Sequence, residues 1–173
     1  MTLSDTSHPL QVILGLDPGM AITGYGLIHH DGQHLTPVSY GAITTPAHTP
    51  LPVRLRTIYH ELTALIARYH PTEAAVEELF FARNVRTAIA VGQARGVALL
   101  ALAEADLPIH EYTPLQVKQA VAGYGQAAKS QVQEMVRILL GLESIPYPDD
   151  AADALAVAIC HAHAARLAGL LDQ

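Results

Sequence analysis

The chain has one cysteine, two phenylalanines and no tryptophan among its 173 residues, and charged side chains make up only 15% of it. A single thiol, Cys160, excludes an intrachain disulfide and any zinc site built from several cysteines. No Lys or Arg precedes Arg54, so the early apolar run VILGL lacks the basic flank of a secretory signal. The stretch GVALLALA, pinned between Arg95 and Glu104, is too short to span a bilayer. Half the residues are hydrophobic, which excludes a disordered chain. A cytoplasmic, soluble protein with no membrane association is expected. It should have a flexible polar N-terminus over residues 1–10 and one domain over 11–173, burying roughly two-thirds of its unfolded surface.

Basic charge is also scarce, and the net charge of −6 argues at first against nucleic acid. The distribution qualifies this. Residues 82–137 hold six basic side chains (Arg83, Arg86, Arg95, Lys118, Lys129, Arg137) against four acidic ones, while both flanking segments are acidic. If part of the acidic charge is held in a cation site, a nucleic-acid footprint remains open.

What the sequence does have is a clear order of elements. Residues 11–17 form a nearly continuous apolar run, as expected of a central strand. DPGM follows, with Pro and Gly placed for a type II turn. GYGLIHH and LTPVSYGAI are two further strands joined at Asp31-Gly32. From Leu51 to Tyr69 the positions Leu55, Ile58, Tyr59, Leu62, Leu65, Ile66 and Tyr69 repeat at helical spacing until Pro71. AAVEEL is a short buried strand, 83–105 a long helix, PIHEY a fifth strand, and 114–121 and 127–141 two helices separated by Gly123-Tyr124-Gly125. A last helix starts after Pro146 and Pro148, near Asp149 or Asp150, with acids in its first turn. The fold class is α/β: hairpin-linked strands joined to a parallel portion with crossover helices.

Chemistry concentrates in carboxylates at element edges. Asp17 sits at the C-terminal end of the first strand, where open α/β sheets place ligands, although Asp-Pro-Gly is also an ordinary turn composition. Glu77 and Glu78 are adjacent on a strand and point to opposite faces, so one of them can face Asp17. Asp150 and Asp153 share a helix face, and so do Asp149 and Asp153. Capping explains one or two of these acids. Three within five residues repel one another unless a cation lies between them. An all-oxygen set selects hard ions, Mg²⁺ or Mn²⁺, and two such ions about 3.5–4 Å apart suit phosphodiester hydrolysis. The glycines of LGLDPGMAITGYG precede no helix, so a dinucleotide-binding reading fails.

Other residues carry weaker signals. Phe80 and Phe81 are adjacent at a strand end, so both cannot point inward, and with Arg83 and Arg86 nearby they suit base stacking plus phosphate contact. Gly92 and Gly96 lie on one helix face and admit another backbone. Cys160 and His163 share a helix face, but no distant cysteine cluster completes a zinc site. His161 lies about 12 Å along the helix from Asp153, too far to share its ion. These histidines read as surface or hydrogen-bonded side chains.

ILGLDPGMAITGYG, AVEELFFARN, GQARGVA, QVKQAVAGYGQAAKSQVQEMV and DDAADALAVAICHAH, in that order from about residue 11 to 165, resemble the RuvC family of bacterial Holliday junction resolvases. The resemblance implies an RNase H-like fold, a five-stranded mixed sheet flanked by helices. It implies a homodimer that resolves four-way junction DNA in recombination and repair by paired symmetric nicks, leaving 5′-phosphates. Two Mg²⁺ per subunit, with Mn²⁺ a possible substitute, and a RuvA–RuvB branch-migration partner are implied too. It selects Asp17, Glu77, Asp150 and Asp153 as the catalytic, metal-holding set. Phe80 would wedge against bases at the junction, and Lys118 and Lys129 would contact phosphates near the scissile bond. A junction-binding module without catalysis is the competing reading, disfavoured because all four acids are present. A sugar-kinase-like or actin-like ATPase would need a second domain for which the chain has no room.

Overall fold

The computed structural model describes residues 9–78 and 84–171. Strands β1 (Gln11–Asp17), β2 (Ile22–His30) and β3 (Leu35–Thr44) run antiparallel in succession. Strands β4 (Glu73–Glu77) and β5 (Ile109–Tyr112) add in parallel on the other side of β1, giving one five-stranded mixed sheet of order β3-β2-β1-β4-β5. Helices α1 (Leu51–Tyr69) and α2 (Val85–Glu104) are the crossovers, and α3 (Pro114–Ala122), α4 (Lys129–Leu139) and α5 (Asp149–Leu171) complete the chain.

Strand alternation divides the core into two layers. Leu14 and Leu16 of β1 and Ala74 and Val76 of β4 face α1 and α2. Ile13 and Ala75 face the layer built by α3, α4 and α5. Gly15 and Asp17 share the Ile13 face, and Glu73 and Glu77 share the Ala75 face. By strand parity alone, then, Glu77 is the carboxylate turned toward α5.

Helix α5 is the central support, with eleven buried residues from Ala151 to Ala162. It can lie this close because the strands beneath it carry glycine. A Cβ on Gly15 would fall 2.2 Å from the carbonyl oxygen of Ala154, and one on Gly24 would fall 1.9 Å from that of Asp150. Gly15, Gly24 and Gly26, part of the glycine pattern that invited a dinucleotide-binding reading, are the seat of α5.

Helix α1 spans the expected residues, ending where His70 takes a left-handed φ of 48° ahead of Pro71. Helix α3 starts with a Thr113–Gln116 capping box and stops at Gly123, φ 89°. Helix α4 is shorter than the expected 127–141. It begins only after Ala128, whose N–H donates to Gln131 Oε1 at 2.8 Å, and it ends ahead of Gly141, φ 63°.

The type II turn expected at Asp17-Pro18-Gly19-Met20 does not form, because Gly19 lacks the positive φ that such a turn needs. Glycine is required there for space instead, since an added Cβ would meet the Ile22 carbonyl oxygen at 2.4 Å. The buried Thr23 hydroxyl closes this loop, donating to Gly19 O at 2.8 Å and accepting from Gly19 N at 3.3 Å. Asp31-Gly32 does turn the chain, with Gly32 at φ 95° and Asp31 Oδ1 accepting from the N–H groups of Gln33 and His34.

By length and composition both α2 and α5, as whole helices, could cross a membrane, although the GVALLALA run within α2 alone is too short. In the fold α5 is the core helix. Helix α2 packs one face, Ala94, Ala98, Ala101 and Leu102, against the sheet and α1.

Candidate active site

The C-terminal ends of β1 and β4 adjoin in the sheet, and the N-terminal turn of α5 crosses them on the Gly15–Asp17 face. This brings together Asp17, Glu77, Asp150 and Asp153. The Asp17 and Glu77 carboxyls lie side by side, each close enough to perturb the other. Burial, followed by the charges of Glu77 and Asp153 and that of Asp150, pushes Asp17 up to about 8. Burial also raises Glu77, and again Asp153, although Lys129 opposes the rise at Asp153.

Four carboxylates gathered at one point form a donor set that fits hard divalent cations, with oxygen the only donor atom. Asp149 lies outside the set. It is exposed and pairs with Lys129 Nζ at 3.5 Å and Gln133 Nε2 at 3.2 Å. Glu78 is exposed at the rim, its N–H donating to Tyr112 O at 2.8 Å.

Cationic side chains surround the acids. Lys129 Nζ lies 3.3 Å from Asp153 Oδ2. Burial would lower its pKa, but Asp153 and Asp149 outweigh burial and hold it above the ordinary lysine range. Lys118 and Lys129 line a 190 Å³ cleft with Glu77 and Asp153. On the other side Arg86 and Arg54 line a 490 Å³ groove that reaches Asp150. Between them, Asp17, Glu77, Glu78 and Arg95 line a 260 Å³ cleft. The acids therefore lie along a continuous series of clefts with basic walls. Phe80 and Arg83 lie outside the described residues.

Two contributors escaped the sequence reading. Arg95 donates from Nη1 to the Glu77 carbonyl oxygen at 2.5 Å and pairs with Glu111 on β5, so it fixes the end of β4. Its signal was a charge directly before the apolar run GVALLALA of α2. Arg54, on the wall beside Asp150, donates to Thr45 Oγ1 at 2.9 Å, and nothing in its helical pattern marked it. The Cys160 thiol, buried and pushed up by desolvation to about 11, is no nucleophile.

The family model for "Crossover junction endodeoxyribonuclease RuvC" matches residues 13–161. Crossover junction endodeoxyribonuclease RuvC of Desulfitobacterium hafniense is 65% identical over 156 residues, covering 90% of this chain and 94% of that protein. Among solved structures, T. thermophilus RuvC in complex with Holliday junction substrate is 40% identical and superposes with a TM-score of 0.87, covering 91% of this chain and 96% of that one. The yeast mitochondrial Holliday junction resolvase Ydc2, at 11% identity and a TM-score of 0.68 over 95% of this chain and 83% of that one, shares the fold. The expected RNase H-like architecture is the one observed.

Proposed function

The chain belongs to the RuvC family of crossover junction endodeoxyribonucleases, and on that premise we propose that it resolves four-way DNA junctions in recombination and repair, in the cytoplasm, by paired nicks that leave 5′-phosphates. The observation that carries the reading is the convergence of Asp17, Glu77, Asp150 and Asp153 beneath basic walls.

Asp17 and Glu77, with Asp150 and Asp153, would hold two Mg²⁺, for which Mn²⁺ could substitute. Bound there, the ions supply charge neutralisation and Lewis-acid activation for in-line displacement at phosphorus. The protein's own residues do the rest. Asp17 and Glu77, whose burial disfavours their charged forms, would hold the ions as carboxylates beside the scissile phosphate. Lys129, held by Asp153, and Lys118, on the same cleft wall, are placed to stabilise charge developing on the phosphate oxygens. Arg86 and Arg54 would guide the phosphate backbone along the opposite wall. Phe80 and Arg83 complete the proposed junction contacts, and a RuvA–RuvB type complex is the proposed partner.

A homodimer completes the reading, because two sites related by a two-fold axis match the two-fold symmetry of the junction. Support comes from the outer face of α2, where Val85, Ile89, Gly92, Gly96 and Leu100 follow at spacings of three and four. Val85 is 72% exposed, and a Cβ on Gly92 or Gly96 would touch nothing within 4 Å. Such a face suits close helix packing against a second copy.

The test is incubation of end-labelled four-way junction and matched linear duplex with the protein and Mg²⁺. Symmetric nicks in the junction alone are expected. Tight junction binding with no nick in Mg²⁺ or Mn²⁺ would favour the binding-module reading.

A further inference from the structure

The β4–α5 pair that brings Glu77 to Asp153 builds a second polar cluster at its other end. Four residues of strand separate Glu77 from Glu73, about 13 Å. Eight residues of helix separate Asp153 from His161, about 12 Å. The two rises match, so Glu73 meets His161 just as Glu77 meets Asp153. Glu73 Oε2 lies 2.6 Å from His161 Nε2 and 3.4 Å from Nε2 of His110, which β5 supplies. The two imidazoles stack at 4.2 Å between centroids. All three ligand atoms lie within 4.8 Å of one another. Ligands around a tetrahedral ion at Zn–N and Zn–O distances stand about 3.3 Å apart, so small adjustments close the gap.

The surrounding hydrogen bonds aim these atoms inward. Glu73 Oε1 is occupied by Gln11 Nε2 at 2.8 Å, and Gln11 Oε1 is itself 3.0 Å from His30 Nδ1. His161 Nδ1 is occupied by the Tyr112 hydroxyl at 2.7 Å. Glu73 and His161 thus each have an outer atom engaged by a supporting group and an inner atom left at the cluster. That is the arrangement that orients metal ligands. His161 is 4% exposed and Glu73 21%, whereas His110 is 42% exposed and leaves an entry path.

We propose that Glu73 Oε2, His110 Nε2 and His161 Nε2 bind a borderline divalent transition-metal ion, Zn²⁺ or one of similar softness, at the end of the β4–α5 pair remote from the four carboxylates. Two imidazoles and one carboxylate favour such an ion over Mg²⁺, so the two ends of one strand–helix pair select different metals. The ion ties the edge strand β5 to α5 and β4. Binding needs His161 as the Nε2-deprotonated tautomer, with Nδ1–H donating to the Tyr112 oxygen; the hydroxyl can accept as readily as donate. The hydrogen bonds expected of His161 are present, and the proposal adds a metal role through partners that come from β4 and β5 rather than from cysteines.

The test is calorimetric titration of the full chain with ZnCl₂ under excess Mg²⁺, accompanied by thermal melts and by the ligand-field spectrum of added Co²⁺. One Zn²⁺ per chain, a raised melting temperature and imidazole-type Co²⁺ bands are expected. Affinity should fall at least about tenfold in His110→Ala and Glu73→Gln, and should persist in Asp17→Asn. Because His110 is partly exposed, its replacement leaves the core intact. Absence of Zn²⁺ binding in the wild type would overturn the proposal and leave a purely hydrogen-bonded cluster. Equal affinity in His110→Ala, or loss of binding in Asp17→Asn, would overturn it as well by placing the ion elsewhere.

Discussion

At the scale of single residues, Asp17 carries the largest electrostatic cost. Its ordinary value of 3.8 rises to about 8 in the fold, by burial first and by the neighbouring acids after that. An acid whose folded pKa exceeds its unfolded one opposes folding only once the unfolded chain ionises. The penalty is absent below about pH 4, grows as pH rises, and is complete above about pH 8. Metal-free protein should therefore lose stability across that window, whereas Mg²⁺-loaded protein should not. Asp17→Asn should stabilise metal-free protein at pH 7 by roughly 1–3 kcal/mol, read by urea denaturation in a chelator, since asparagine, unlike the ionised aspartate of the unfolded chain, need not take up a proton to be buried. Lower stability in the mutant would contradict this electrostatic account. Arg95→Met should act differently. It removes the donor to the Glu77 carbonyl and the Glu111 ion pair, so it should slow junction cleavage by roughly tenfold or more with junction affinity little changed, as expected of a residue that positions the catalytic acid rather than the DNA. A uniform loss of affinity with normal turnover would assign Arg95 to DNA contact instead. Legibility at this scale was uneven. Asp17 stood out because it ends an apolar strand, and parity placed Glu77 once the neighbouring core residues were known. Arg95 stayed hidden because its partners, on β4 and β5, are remote in sequence.

At the scale of elements, the site depends on how closely α5 lies on β1 and β2. Gly15→Ala would place a methyl 2.2 Å from the Ala154 carbonyl oxygen, a backbone atom that cannot swing aside. The variant should lose roughly 2–4 kcal/mol in denaturant unfolding and should cut poorly even where folded, because α5 carries Asp150 and Asp153. Wild-type stability in Gly15→Ala would mean that α5 sits less tightly than described. The elements themselves were largely readable. Helix α1 followed from its apolar spacing and Pro71, and β1 from a nearly continuous apolar run. The DPGM turn was misread because Pro-Gly composition fixes a turn type only when the glycine is needed for positive φ. Here it is needed for the approach of Ile22, a contact made after the turn. The Glu73–His110–His161 cluster was invisible for a similar reason. Its members come from three elements, and only the matched rises of strand and helix bring them together.

At the scale of the whole molecule, the cleft series with basic walls and the apolar outer face of α2 are separate surfaces, the first proposed to take DNA and the second a second copy. Ile89→Asp should convert a dimer to a monomer in sedimentation equilibrium, since it places a charge in the middle of the Val85–Leu100 face. The same variant should nick one junction strand without the paired second cut. A dimer that survives the substitution would move the interface off α2. The central claim is that Asp17, Glu77, Asp150 and Asp153 form one cation-dependent site that cuts four-way junctions. The most direct measurement is strand cleavage of an end-labelled junction by wild type and Asp17→Asn in Mg²⁺, with junction binding followed in parallel. Paired cuts by the wild type are predicted, with undiminished binding and no cuts by the mutant; cleavage by Asp17→Asn at the wild-type rate would contradict the account.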